Sequence, residues 1–224
     1  MGFIFGPSWF YGIDSGFSFF AMLVTISIAI FSLKAYFIAK DRKYLYFTLA
    51  FFSISVSYLI KAVASWVVFK HILGKVPNLT AAISTVVSMP NFYSLGYILY
   101  VFFIFAGFMI LVAIYLRIHS IRTLSLLFIL MLILSILSQS KFIAFHVTLF
   151  LLLFYIVIHL FKNHIRTKSV STFLVLYSML ALMVSQIFYF FIIFDKIYYV
   201  IGHVLQLIGF LLLLLNMILV FRKR

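Results

Sequence analysis

Residues 170–221 read VSTFLVLYSMLALMVSQIFYFFIIFDKIYYVIGHVLQLIGFLLLLLNMILVF, two apolar runs, Val170 to Phe194 and Tyr198 to Phe221, parted by little more than Asp195 and Lys196. Each run has at least the roughly 20 residues that a helix needs to cross a hydrocarbon core about 30 Å thick. The bilayer holds no water to satisfy backbone N–H and C=O groups, so a crossing segment is a helix or part of a closed barrel. These runs are continuously apolar and do not alternate, which selects helices.

The same pattern extends toward the amino terminus. Five further runs, Phe17 to Ile38, Leu45 to Val68, Tyr97 to Leu116, Leu124 to Leu137 and Phe142 to Leu160, are joined by short turns. The expected fold is an all-α membrane protein, a single seven-transmembrane-helix bundle over residues 1–224 with one longer loop at 69–96. Leu124 to Leu137 is the weakest run, because it is short and bracketed by Arg122 and Lys141; without it every later segment would invert. Composition agrees. With 67% hydrophobic and 9% charged residues, and a mean hydropathy of +1.30, lipid has to act as the solvent.

Seventeen Lys and Arg residues against three acids give a net charge of +14. They gather at the ends of the apolar runs, where basic residues anchor helices at headgroups, so the charge marks a membrane surface and excludes nucleic acid as the partner. Eleven of the 17 fall in the turns at 40–43, 117–122 and 162–168 and in the tail 222–224, while Lys70, Lys75, Lys141 and Lys196 fall on the other side. The basic side should be cytoplasmic, with the amino terminus outside and the carboxyl terminus inside a cell membrane. The first 16 residues contain no Lys or Arg, so the positive region of a cleavable signal peptide is missing. There are no cysteines, which excludes disulfides and thiolate metal sites. Small loops and a Lys, Ile and Phe bias point to a prokaryotic source.

Polar residues within spans tend to face the bundle. Ser53, Ser57, Lys61 and Ser65 form one stripe; Ser18, Thr25 and Ser32, then Ser171, Ser178 and Ser185, repeat every seven; Gly202, Gln206, Gly209 and Asn216 share a face. Leu126, Leu127, Leu130, Leu132 and Leu134 make the fourth run the most lipid-facing. Lys61 stands out, because an ionised amine at membrane depth is costly unless it is paired, neutral or wet. Counting about 1.5 Å per residue places it in the outer third of its span, level with His146 and His203. Gln186, Tyr189 and Gln206 reach the same level, and Asp14 and Asp195 are the acids at the outer rim. The expected site is an outward-facing ligand pocket of Lys61, His146, His203, Gln186, Tyr189 and Gln206, with Asp14 or Asp195 as counter-ion. Its structural alternative is a Lys61 that snorkels to the headgroups beside histidines that merely bond neighbouring helices.

No metal site is expected, since two His without any Glu in the chain leave the ligand set incomplete. No cofactor is expected: the last span has no Schiff-base lysine, and Lys196 lies outside it. No nucleophile elbow, HExxH or phosphate loop occurs, which leans away from an enzyme. Asn78 opens an Asn-Leu-Thr sequon in the outside loop, a glycosylation candidate.

The turn Asp41, Arg42, Lys43, Tyr44, Leu45, Tyr46 and Phe47, followed by Ala50 and Phe51, resembles the matching turn of prokaryotic seven-helix sensor modules. The likeness covers about ten residues and the topology. It implies a receptor-like bundle whose output passes to a separate cytoplasmic or membrane protein, with a small molecule or lipid as ligand. A membrane-embedded carrier or enzyme for a lipid-like substrate, and a structural subunit of a membrane complex, are the competing expectations.

Overall fold

The computed structural model describes residues 6–75, 90–116, 120–138 and 140–222. They form a 3-10 turn, Ser8–Phe10, and seven α-helices: α1 Tyr11–Ala39, α2 Arg42–Lys75, α3 Pro90–Leu116, α4 Ile121–Leu137, α5 Lys141–Thr167, α6 Val170–Phe190 and α7 Ile197–Arg222. A second 3-10 turn, Phe191–Ile193, follows α6. Six of the helices are long and apolar enough to cross a membrane, and the chain is built as a multi-pass membrane protein. The exception is α4, whose 17 residues reach only about 25 Å.

Local chemistry sets where the helices stop and start. Lys40 and Lys168 adopt left-handed backbone angles, with φ of 54° and 48°, and their N–H groups donate to Tyr36 O and His164 O to close α1 and α5. A left-handed residue past the last turn satisfies carbonyls that the helix itself leaves unpaired. Ser120 and Ser169 accept from the N–H groups of Thr123 and Thr172 at the starts of α4 and α6. Asp195 Oδ1 accepts from Ile197 N–H at 2.9 Å and so starts α7.

Two boundaries differ from the sequence reading. The expected loop at 69–96 is helical at both flanks, since α2 runs on to Lys75 and α3 starts at Pro90. Proline suits a first helical position, where its missing N–H costs no hydrogen bond. Asn78 lies outside the described residues. The other difference is that α1 starts at Tyr11, well ahead of Phe17, so Asp14 sits in a first helical turn and not on an extended tail. Its carboxylate is favoured there by the positive end of the helix dipole.

The helices close a ring: α1 packs on α2, α2 on α3, α3 on α5, α5 on α6, α6 on α7, and α7 back on α1, while α4 lies outside against α3 and α5. The polar stripes turn into this ring. Ser18, Thr25, Ser32, Ser57, Lys61, Ser65, Ser178, Ser185, Gln206 and Asn216 are all buried, whereas Leu126, Leu130 and Leu134 of α4 are exposed. Several of the hydroxyls bridge helices: Ser15 donates to Ala62 O at 3.0 Å, Ser53 to Phe103 O at 2.8 Å and Ser171 to Asn216 Oδ1 at 2.8 Å. Such bonds add cohesion where lipid tails leave little hydrophobic drive between helices.

Helix direction follows from one cavity. It is bordered by Tyr97 and Tyr100 near the start of α3, His146 near the start of α5 and His203 near the start of α7, together with Lys61 from the later part of α2 and Tyr189 at the end of α6. The helices α3, α5 and α7 therefore begin at the end of the bundle where α6 finishes. Since α3 and α5 run the same way, α4 leads back between them.

Candidate functional site

At that end three titratable side chains from three helices meet. Lys61 Nζ lies 2.6 Å from His203 Nε2 and 3.5 Å from Asp14 Oδ1, and His203 Nε2 lies 2.9 Å from the same Asp14 oxygen. Oδ1 makes no well-aligned hydrogen bond, so these two approaches are charge contacts. The other carboxylate oxygen is properly bonded, with Ser65 Oγ donating to Oδ2 at 3.1 Å and the Tyr199 hydroxyl at 3.3 Å. Exposures of 4% for Asp14, 6% for Lys61 and 5% for His203 seal the cluster from solvent. Lys61 does not snorkel: its ammonium end sits over the Tyr199 ring, 5.6 Å from the centroid.

Hydrogen-bond roles assign the hydrogen on one ring nitrogen of His203. His203 Nδ1 lies 2.9 Å from the backbone carbonyl of Tyr199, one turn back on the same helix. A carbonyl can only accept, so Nδ1 carries hydrogen, an assignment made from the network. The Tyr189 hydroxyl, also 2.9 Å from Nδ1, donates onward to Gln206 Oε1 at 2.9 Å. Only Nε2 is left to vary. When bare it accepts from the Lys61 ammonium, and when protonated it donates toward Asp14 while Lys61 is neutral. Both arrangements are electrically neutral overall, because Asp14 balances one shared proton.

Packing leaves the site little freedom. Phe10 packs on the cluster, its ring 5.8 Å from that of His203 and 6.1 Å from that of Tyr199. A Cβ on Gly202 would come 2.8 Å from the Tyr189 ring, so glycine is what lets α6 and α7 approach closely enough for the Tyr189–His203 bond. The void enclosed by Lys61, Tyr97, Tyr100, His146, Tyr189 and His203 is about 20 Å³. That is room for about one water. A ligand-sized pocket, as expected from the sequence, is not enclosed here, because aromatic rings fill the space.

The expected site residues separate into two groups and one outlier. Asp14, Lys61, His203, Tyr189 and Gln206 form the first. His146 and Gln186 form the second, with Nδ1 and Oε1 2.7 Å apart, and join the first through the His146 ring stacked on Tyr189 at 4.3 Å. Asp195 is the outlier. It is exposed and caps α7, and Asp14 is the acid that faces Lys61. Sequence reasoning assigned no site role to Ser65, Tyr199 or Phe10. Ser65 lies on the Lys61 side of α2, and Tyr199 is four before His203, so helical spacing from the two basic residues would have found them. Among the described residues no three His, Cys, Asp or Glu side chains gather to hold a metal ion.

No family model, curated protein or solved structure matches the chain.

Proposed function

We propose that this chain is a proton-responsive, receptor-like protein of the cell membrane, with seven crossings, its amino terminus outside, and output through a separate protein partner. Support for seven crossings comes from the shared direction of α3 and α5, which needs α4 to return across the bilayer; its ends can be completed by the polar shoulders at Ser120 and Ser138. Support for the orientation comes from the basic turns at the far end. The observation that carries the functional reading is the buried Asp14–Lys61–His203 contact, with a void for one water beside Lys61 and His203.

The mechanism follows from charge. In its neutral state the cluster pulls α1, α2 and α7 together. A proton arriving from the outer side occupies His203 Nε2 while Lys61 remains an ammonium, and two cations then face one carboxylate in a medium of low dielectric. The added repulsion acts between α2 and α7. Separation of these helices at the outer end shifts their basic inner ends, where a partner reads the change.

The chain's two tryptophans report on this end. Trp9 packs on Phe10 at 5.5 Å, and Trp66 is the neighbour of Ser65. Tryptophan emission of the protein in lipid nanodiscs should therefore change on acidification in a single one-proton transition that His203→Gln removes. Emission that is flat with pH, or that titrates equally well in His203→Gln, contradicts the proposal.

A further inference from the structure

Charge is distributed unevenly about the void beside the cluster. Lys61 and His203 border it, whereas Asp14 does not. The carboxylate is engaged elsewhere, its Oδ2 accepting from Ser65 at 3.1 Å and from Tyr199 at 3.3 Å. Two further tyrosines on the border direct their hydroxyl hydrogens to other groups, Tyr97 to Lys141 O and Tyr189 to Gln206 Oε1, each at 2.9 Å. The charge at the border is therefore that of Lys61, joined by His203 once Nε2 is protonated.

An ammonium has three hydrogens to give. The contacts of Lys61 within the cluster, His203 Nε2 at 2.6 Å and Asp14 Oδ1 at 3.5 Å, account for two. Protonation turns Nε2 from an acceptor into a donor, and the hydrogen that Lys61 gave it is released. Two positive charges then stand against one negative, in residues no more than 6% exposed. Charge held away from water is costly until the opposite sign joins it. The groups packed around His203 offer no second anion: Lys61 comes from α2, Tyr189 from α6 and Tyr199 from α7 itself. Sharing the void with it are His146 from α5 and Tyr97 and Tyr100 from α3.

We propose that the void is a halide site filled only in the protonated state, one chloride or bromide entering as His203 gains its proton. The site rests on the proton response of the cluster. The ion accepts the hydrogens that Lys61 has regained and restores electrical neutrality. Size selects a single atom: a void of about 20 Å³ suits one water, a halide is only slightly larger, and nitrate, acetate and sulfate exceed it. Charge selects the anion, since a water cannot cancel the added proton and a metal cation would add to the repulsion. The separation of α2 and α7 that follows protonation widens the void, and the ion then holds the widened, protonated state.

The test titrates tryptophan emission in nanodiscs in chloride and in gluconate at equal ionic strength. A halide that binds only the protonated form makes protonation easier, so the midpoint should lie at higher pH in chloride. It should climb by about one pH unit for each tenfold rise in chloride above its dissociation constant. Sulfate should act like gluconate. Chloride-35 NMR lines, corrected for empty nanodiscs, should broaden on acidification, and His203→Gln should remove that broadening. Equal midpoints in chloride and gluconate, or chloride lines as broad at neutral pH as in acid, overturn the halide site and leave the proton response standing; emission that is flat at every pH overturns both. These readouts on the native protein decide the matter even if His203→Gln fails to fold.

Discussion

Asp14→Asn is expected to destabilise the bundle by about 3–5 kcal/mol, the usual cost of removing one partner from a buried ion pair. The substitution keeps the shape and the hydrogen-bonding capacity toward Ser65 and Tyr199, so what it removes is charge. Lys61 and His203 are then left sharing a proton with no counter-charge, in a cluster no more than 6% exposed. If that is the cause, deleting the cation should repair the damage. Lys61→Met alone leaves Asp14 unbalanced and should also destabilise, but the double substitution should recover most of the loss. Denaturation of the four proteins in mild detergent gives the coupling directly. Single losses that simply add in the double variant would mean that Asp14 and Lys61 do not pair.

Gly107→Ala should cost about 1–3 kcal/mol, the range for overpacking a tight contact. The added Cβ would lie 2.5 Å from Ile54 Cγ1 and 2.7 Å from the backbone oxygen of Ala50. The isoleucine can rotate, but the carbonyl belongs to the α2 backbone and cannot give, so α2 and α3 must move apart. A control sits in α1: a Cβ on Gly16 meets nothing within 4 Å. Gly16→Ala should therefore be neutral or slightly stabilising, because alanine is the better helix former. Comparable losses at both glycines would show that helix propensity, and not the α2–α3 approach, sets the effect.

Much of this architecture is legible in the sequence, and the reasons differ from place to place. Run length identifies the six long helices, and serine spacing orients them, because polar residues within spans tend to face the bundle. Basic turns end α1 and α5 where Lys40 and Lys168 can adopt left-handed angles. Depth counting from Leu45, Phe142 and Tyr198 brings Lys61, His146 and His203 to one level. The choice of counter-ion is harder to read. Asp14 and Asp195 both sit near span ends on the Lys61 side of the bundle, and only the early start of α1 at Tyr11 carries Asp14 inward while Asp195 stays to cap α7. Void size is not legible either. The space around Lys61 is decided by how Tyr97, Tyr100, Tyr189 and Tyr199 pack, and residue spacing says little about ring placement across helices. The position of α4 outside the ring is likewise set by tertiary packing; its short run and its leucines hint at the periphery but not at which pair of helices it covers.

The central claim is that His203 Nε2 takes up one proton from the outer side while Lys61 stays an ammonium and His203 Nδ1 stays protonated. Nitrogen-15 solid-state NMR of histidine-labelled protein in lipid, with the His203 signals assigned by their loss in His203→Gln, measures this directly. The account predicts a protonated Nδ1 at every pH and an Nε2 that gains hydrogen over the same interval in which tryptophan emission changes. A His203 fixed in the Nε2–H tautomer with bare Nδ1, or an Nε2 that keeps one state throughout that interval, would contradict it.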